Sequence, residues 1–441
     1  AVAADSLVCS EIGRDILKEG GSPVDAAIAA LLCTSVINPQ SMGLGGGVIF
    51  TIYNASTGRS YFFFVGAQWI GVPGELRGYE VAHQRHGRLP WKSLFQPTIK
   101  LVTEGVKLSS ITSRFLKNTD IKSLISKNSV CKLLCKGQDL VTEGQSLNFT
   151  QLAHTLRVVS EKGADAFYQG PIAEQMLEDL KSQGSNLTQD DLTNYKVLIG
   201  RALNVSLANH TLYSAQPPAG GALLSFILKV LEGYNFSESS IQDKRAQIET
   251  YHRIAEAMKF ANGQKIKMAD FGMKRMEELK ETVLSETFAQ QIRERINDYG
   301  NHSLSYYSLN GPHSESFGTS HISVISQDGS AVSATSSINQ IFGSMVYSPQ
   351  TGIVFNNQLA DFCSGEKVII TAIAMMIFLY LGERPPSSMA PSILLSDDKK
   401  SQLVIGASGG SYIISSTALA IVNTLWFGVD LKKAISDPIL H

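Results

Sequence analysis

The chain has 441 residues, 44% of them hydrophobic and 17% charged, with 38 Lys and Arg against 39 Asp and Glu. That composition supports a large buried core. The near-zero charge balance excludes a phosphate-tracking nucleic-acid binder, which needs a basic surplus. Length alone gives a soft prior of about three domains, although single large α/β folds also reach this size.

In chain order, "CSEIGRDILKEGGSPVDAAIAALLCTSVINP" carries apolar residues at helical spacing, broken by Gly20 and Gly21. Ser22 then reads as an N-cap with Pro23 at the first helical position. "GLGGG" at 43–47 lies between a helix and the strand "GVIFTIYN". A dinucleotide loop needs the opposite order, and the G-K-[ST] of a P-loop is missing, so close backbone approach or a packing turn is the expectation. From Trp91 to about Arg293 amphipathic helical stretches dominate, such as "SFILKVLEGY" and "ETYHRIAEAMKFA". From Ser320 onward the pattern changes to strands and turns: "HISVIS", "AVSATSSI" and "TGIVF". The apolar run at 368–381 has 14 residues, short of the ~20 that cross a bilayer, and is expected to be a core helix or strand pair. Last comes "QLVIGASGGSYIISSTALAIVNTLWFG", a strand, a glycine turn and a long helix. Helices first and strands last suggest layers that share one core. The opening "AVAADS" carries no targeting region, so a trimmed N-terminus is expected.

Seven N-x-S/T triplets, at Asn54, Asn148, Asn186, Asn204, Asn209, Asn235 and Asn301, favour a glycosylated extracellular protein. Of five cysteines, Cys9 and Cys33 could pair across a helix start and Cys131 and Cys135 are four apart, leaving Cys363. Five buried thiols remain the alternative. No zinc pattern accompanies them, and no metal or organic cofactor is expected.

Chemistry is concentrated in the last third. Thr319 follows Gly318 and opens a strand. Either a loop simply ends there, or the peptide bond before Thr319 is meant to be cut. "HISVIS-QDGS-AVSATSSI" reads as a hairpin around Asp328-Gly329. A two-residue loop sets Thr319 opposite Ile338. A three-residue loop at 327–329, with Gly329 left-handed, sets it opposite Ser337 and brings Asn339 alongside. "GASGGS" at 406–411 ends a strand and opens a helix, which aims backbone N–H groups at an anion or a developing oxyanion. It also fits G-x-S-x-G around Ser408, but only Asp430, Asp437 and His441 follow to complete a triad. "FNNQLADF" supplies Gln358 and Asp361, and "RPPSSMAPSI" supplies Ser387 and Ser388. Together they offer a carboxylate for an ammonium group and hydroxyls for a carboxylate, the two ends of an α-amino acid.

"NPQSMGLGGGVIFTIYN", "IGVPGELRGYE", "HQRHGRLPW", "GTSHISVISQDGSAVSATSSIN", "SPQTGIVFNNQLADF", "SSMAPSI" and "LVIGASGGSYIIS" closely resemble the gamma-glutamyltransferase family over most of the chain. "GAQWIGVPGELRGY", "PPAGGALLSFIL" and "GTSHISV" look most like its leukotriene-cleaving branch. The resemblance implies an α/β (α+β) N-terminal-nucleophile hydrolase, an αββα four-layer sandwich of two stacked sheets flanked by helices. It implies a precursor cut before Thr319 into a large chain, 1–318, and a small chain, 319–441, both within one structural domain. Thr319 would be the nucleophile and its freed α-amine the base. Ser337 stands where the family has a threonine bonded to the nucleophile, and Gly409 and Gly410 match its oxyanion donors. Asn339, Gln358 and Asp361 match positions that hold the substrate α-amino group, and Ser387 and Ser388 those that hold its α-carboxylate. Cys9 and Cys33 resemble a family disulfide, as do Cys131 and Cys135. The implied partners are glutathione, glutathione S-conjugates such as leukotriene C4, and acceptor amino acids or dipeptides. The implied location is the outer face of the plasma membrane, behind an N-terminal anchor that this chain lacks.

The chain also departs from the family. "YFFFVGAQW" at 61–69 lacks the family's Arg-Glu pair, whose Arg clamps the substrate carboxylate. Gln358 replaces a glutamate, the stretch at 365–383 matches nothing in the family, and family members continue past the position of His441. These departures carry a second expectation: a catalytically impaired homologue kept for binding.

Overall fold

The computed structural model describes residues 1–55, 59–64, 70–265, 273–309, 318–362 and 384–441. Contacts divide the chain into two compact units, Ala1–Arg201 with Ser316–Leu359, and Ala202–Glu315 with Ala360–His441. Each unit draws on chain from both sides of the Gly318–Thr319 bond, so a cut there would leave each one built from two polypeptides.

The first unit holds a six-stranded antiparallel sheet in the order Val2–Ala3, Gly318–Ile325, Ala331–Asn339, Gly47–Asn54, Arg59–Phe64, Leu198–Arg201. The central hairpin turns through residues 327–329: the Ser326 amide donates to the Ser330 carbonyl at 2.9 Å and Gly329 has φ +79°. This is the three-residue loop, and Thr319 pairs with Ser337. A register shift between Gly318 and Thr319 then sets Gly318 opposite Asn339.

Strand Ala331–Asn339 is buried along its whole length. Alternation gives it two faces. Val332, Ala334 and Ile338 join the hydrophobic core, while Ser333, Thr335 and Ser337 stand opposite Ser323, His321 and Thr319. Helix Pro23–Ile37 packs against both hairpin strands and shares that core. Its start is fixed by a capping box, in which the Ser22 hydroxyl accepts from the Asp25 amide at 3.1 Å and the Asp25 carboxylate accepts from the Ser22 amide at 2.8 Å. The same carboxylate oxygen accepts from the Arg88 and Leu89 amides at 2.8 and 3.1 Å. Disulfides join Cys9 to Cys33 and Cys131 to Cys135. Those four residues are therefore bonded rather than free thiols.

The second unit holds a four-stranded antiparallel sheet in the order Gln402–Ile405, Ser392–Ser396, His210–Ser214, Leu203–Leu207. Helix Gly221–Glu232 packs against helices Lys244–Lys265 and Tyr412–Leu425. The helical reading of the middle of the chain is right for these two stretches, Gly221–Glu232 and Lys244–Lys265. It misses the strands Leu198–Arg201, Leu203–Leu207 and His210–Ser214. In Leu203–Leu207 the buried residues are Leu203, Val205 and Leu207, a period-two signal too short to stand out between long helices. Cys363, the apolar run at 368–381, the stretch at 365–383 and residues 65–69 lie outside the described residues. Among the described residues no helix is long and apolar enough to cross a membrane.

Candidate active site

Thr319, Ser337, Asn339 and Gln358 all lie in the first unit, and all are buried. The Ser337 hydroxyl donates to the Gly318 carbonyl at 2.8 Å and accepts from the Asn339 amide at 2.9 Å. Its oxygen lies 3.0 Å from Thr319 Oγ1. A serine hydroxyl has one hydrogen and two lone pairs. A carbonyl can only accept and an amide can only donate, so Ser337 has already given its hydrogen. Thr319 must therefore donate into the second lone pair. Counting donors alone fixes the direction of the chain Thr319 → Ser337 → Gly318.

Two glycines give this arrangement room. A Cβ on Gly318 would lie 2.2 Å from the Gln340 carbonyl oxygen, and one on Gly46 would lie 2.4 Å from the Ser337 carbonyl oxygen. The "GLGGG" run therefore serves close backbone approach, as its position before a strand suggests. Asn356 knits the surroundings: its side chain donates to the carbonyls of Gly45 and Gly71 at 2.7 and 3.1 Å and accepts from the amides of Gly71 and Gln358, each at 3.1 Å. Asn339, at φ +76°, donates from Nδ2 to the Asn357 carbonyl at 3.1 Å. Gln358 approaches the Ser337 carbonyl through Nε2 at 3.5 Å, while its Oε1 is buried without a hydrogen-bond partner among the described residues.

Gln358 and Asp361 share the 3-10 turn Gln358–Phe362, with Asp361 counted in the second unit. Burial holds the Lys265 ammonium below its usual range, and the Asp361 carboxylate opposes that shift. Within the second unit the Ser387 amide donates to the Pro218 carbonyl at 2.8 Å and the Ser387 hydroxyl accepts from the Met389 amide at 3.2 Å. Gly220 joins this loop to the helix beyond the glycine turn: a Cβ there would lie 2.7 Å from the Ser388 carbonyl oxygen and 3.0 Å from the Ile414 side chain. The Ser387–Ser388 loop and the start of helix Tyr412–Leu425 are thus neighbours. Gly409 and Gly410 adopt φ +105° and +61°, and among the described residues neither amide donates to the protein. They leave two N–H groups open at a strand-to-helix turn. A triad around Ser408 gains nothing from the structure. His441 Nδ1 lies 2.8 Å from the Ser415 hydroxyl, Asp430 caps helix Leu431–Ser436, and Asp437 pairs with Lys433.

Two titratable groups flank the site without being legible as site residues in the sequence. His321 is gripped on both ring nitrogens, Nδ1 by Thr335 at 2.9 Å and Nε2 by Ser323 at 3.0 Å, and burial pushes it down to about 3. It stays neutral. On the opposite face Glu75 is fully buried, accepts from the Ser336 hydroxyl at 2.9 Å and pairs with the Tyr79 hydroxyl. Burial pushes its carboxyl up to about 8, against the pull of those two hydroxyls. Nothing in "GVPGELRGY" marks this glutamate as buried.

Of the seven triplet asparagines, Asn148, Asn186, Asn204, Asn209, Asn235 and Asn301 are exposed, and Asn54 is half-buried at the end of a strand.

The sequence matches the family described as Gamma-glutamyltranspeptidase over residues 9–65 and 61–441. It is 47% identical over 466 residues to the glutathione hydrolase 5 proenzyme of Rattus norvegicus, covering 100% of this chain and 81% of that protein. The structure is similar to the cephalosporin acylase from Bacillus halodurans, with TM-score 0.82 and 21% identity over 99% of this chain and 82% of that one. It is also similar to Helicobacter pylori gamma-glutamyltranspeptidase, with TM-score 0.59 and 25% identity over 69% of this chain and 93% of that one. The fold is accordingly the α+β sandwich of N-terminal-nucleophile hydrolases that the sequence motifs imply.

Proposed function

The chain belongs to the gamma-glutamyltranspeptidase family, a family of enzymes, and on that premise we propose that it cleaves the gamma-glutamyl amide of glutathione through a threonine acyl-enzyme. The observation that carries this is the buried Thr319 hydroxyl, bonded to Ser337, immediately behind a carbonyl that the same serine holds. Self-cleavage before Thr319 frees its α-amine, which then acts as the base for its own hydroxyl. The hydroxyl attacks the gamma-glutamyl carbonyl, the Gly409 and Gly410 amides receive the oxyanion, and the cysteinyl amine leaves. Asn339, Gln358 and Asp361 hold the substrate ammonium, and Ser387 and Ser388 its carboxylate. Water, or an acceptor amino acid or dipeptide, then takes the glutamyl group.

S-conjugates follow the same path, with leukotriene C4 giving leukotriene D4. The fragments 1–318 and 319–441 remain partners after the cut. The exposure of six triplet asparagines supports glycosylation and a site of action on the outer cell surface. The test is a denaturing gel with N-terminal sequencing of the small fragment, followed by turnover of a gamma-glutamyl anilide. Expected are a fragment that begins at Thr319 and release of the aniline; cleaved protein that releases none overturns the enzyme reading.

A second reading, a homologue kept for binding, is favoured by Gln358 in place of a glutamate and by the missing Arg-Glu pair. It predicts that glutathione raises the melting temperature of a protein that turns nothing over.

A further inference from the structure

We propose that Ser337 is a catalytic residue of the self-cleavage step itself, acting as a proton shuttle between the Thr319 hydroxyl and the Gly318 carbonyl. The inference rests on the reading that Thr319 cuts its own preceding peptide bond. The difficulty it resolves is one of order. The α-amine that serves as base in the mature site is still a peptide nitrogen before the cut, so it can take no proton from the threonine. His321 does not replace it, because both of its ring nitrogens are engaged by Thr335 and Ser323. Among the described residues Ser337 is the only hydrogen-bonding partner of the Thr319 hydroxyl.

Ser337 has what the step needs. Its oxygen receives the Thr319 hydrogen at 3.0 Å, and its own hydrogen already points at the Gly318 oxygen at 2.8 Å. As Thr319 Oγ1 bonds to the Gly318 carbonyl carbon, the threonine proton passes to Ser337 and the serine proton passes to the carbonyl oxygen. The six atoms involved form a closed ring: threonine oxygen, hydrogen, serine oxygen, hydrogen, carbonyl oxygen and carbonyl carbon. The product is a neutral tetrahedral adduct, so no charge develops in a buried place. Collapse breaks the bond between the Gly318 carbon and the Thr319 nitrogen. The adduct hydroxyl loses its proton as the nitrogen gains one, leaving an ester and a free amine. Water then hydrolyses the ester to the Gly318 carboxylate and restores the Thr319 hydroxyl. The Asn339 amide, at 2.9 Å, fills the other lone pair of Ser337 and keeps the shuttle pointed.

The experiment follows first-order cleavage of the full-length precursor on denaturing gels. Wild type is expected to be cut before Thr319 and Thr319→Ala to stay whole. Ser337→Ala is expected to be cut about 10²–10³-fold more slowly, within the usual loss for one positioned proton-transfer group. Ser337→Thr keeps the hydroxyl with a stiffer χ1 and is expected to stay within about tenfold of wild type. In mixtures of light and heavy water the wild-type rate should fall along a bowed line, since two protons move together. If wild type is not cut, or Thr319→Ala is cut as well, the self-cleavage reading fails and the shuttle with it. If wild type is cut and a folded Ser337→Ala matches its rate, the shuttle alone fails. Should Ser337→Ala not fold, the wild-type isotope series decides, and a straight line overturns the shuttle.

Discussion

The two faces of strand Ala331–Asn339 solve the burial of polar groups in opposite ways. One face is apolar except for Ser336, which meets a glutamic acid that burial keeps protonated. The other is a row of hydroxyls around an imidazole that burial keeps unprotonated. Neither face carries a formal charge at neutral pH, although each holds an ionisable group. Desolvation disfavours whichever form is charged, so it raises an acid and lowers a base. On the hydroxyl face the groups at Thr319 and Ser337 are paired in a directed chain, donor to acceptor, that ends at the Gly318 carbonyl, which is what the proposed chemistry uses.

Thr319→Ala is the most severe way to break the contrast. It should leave one polypeptide of 47.8 kDa on a denaturing gel and lower anilide turnover by about 10⁶-fold, as removal of a nucleophile does. Gly318→Ala is next. Its Cβ would sit 2.2 Å from a backbone oxygen that cannot swing away, so the Gly318 carbonyl must move. A shift of about 1 Å can cost about 10²-fold, here read as the rate of fragment formation.

The apolar face is probed through stability. The Glu75 carboxyl is raised from 4.5 to about 8, so the folded state holds a proton that the unfolded chain has lost. Its contribution is complete below pH 4.5 and is lost as pH rises through 8, on the order of a few kcal/mol. Chemical denaturation at pH 5 and pH 8.5 should show that loss in wild type and a flatter profile in Glu75→Gln. His321 has the opposite sign and a smaller expected effect, because it keeps some access to solvent. Its value falls from 6.5 to about 3, so stability is lost as pH drops below 6.5 and the unfolded chain takes up a proton. His321→Gln should remove that acid-side slope; a wild-type profile that is flat between pH 6.5 and 4 would break the comparison.

Much of the local geometry around the candidate site was legible before the structure. The choice between hairpin registers came down to one left-handed glycine, and Gly329 adopts φ +79°. The strand, glycine turn and helix around Gly409 and Gly410 were readable from local pattern. Less legible were the short strands at 198–214, where a few alternating residues lie between long helices. The roles of Glu75, His321 and Asn356 were not legible at all, because a polar residue shows its burial only through the segments that cover it.

The sequence by itself determined what depends on near neighbours: the Ser22 N-cap with Pro23 behind it, a hairpin around Asp328-Gly329 with two possible registers, and the family motifs. Tertiary structure alone decided what depends on distant backbone coming together. Glu75 meets Ser336 across 261 positions of chain, and Gly46 lies against the carbonyl of Ser337. Hydrogen bonds and turns are read over a few residues, whereas desolvation and steric exclusion are properties of whatever the whole fold presses against a residue.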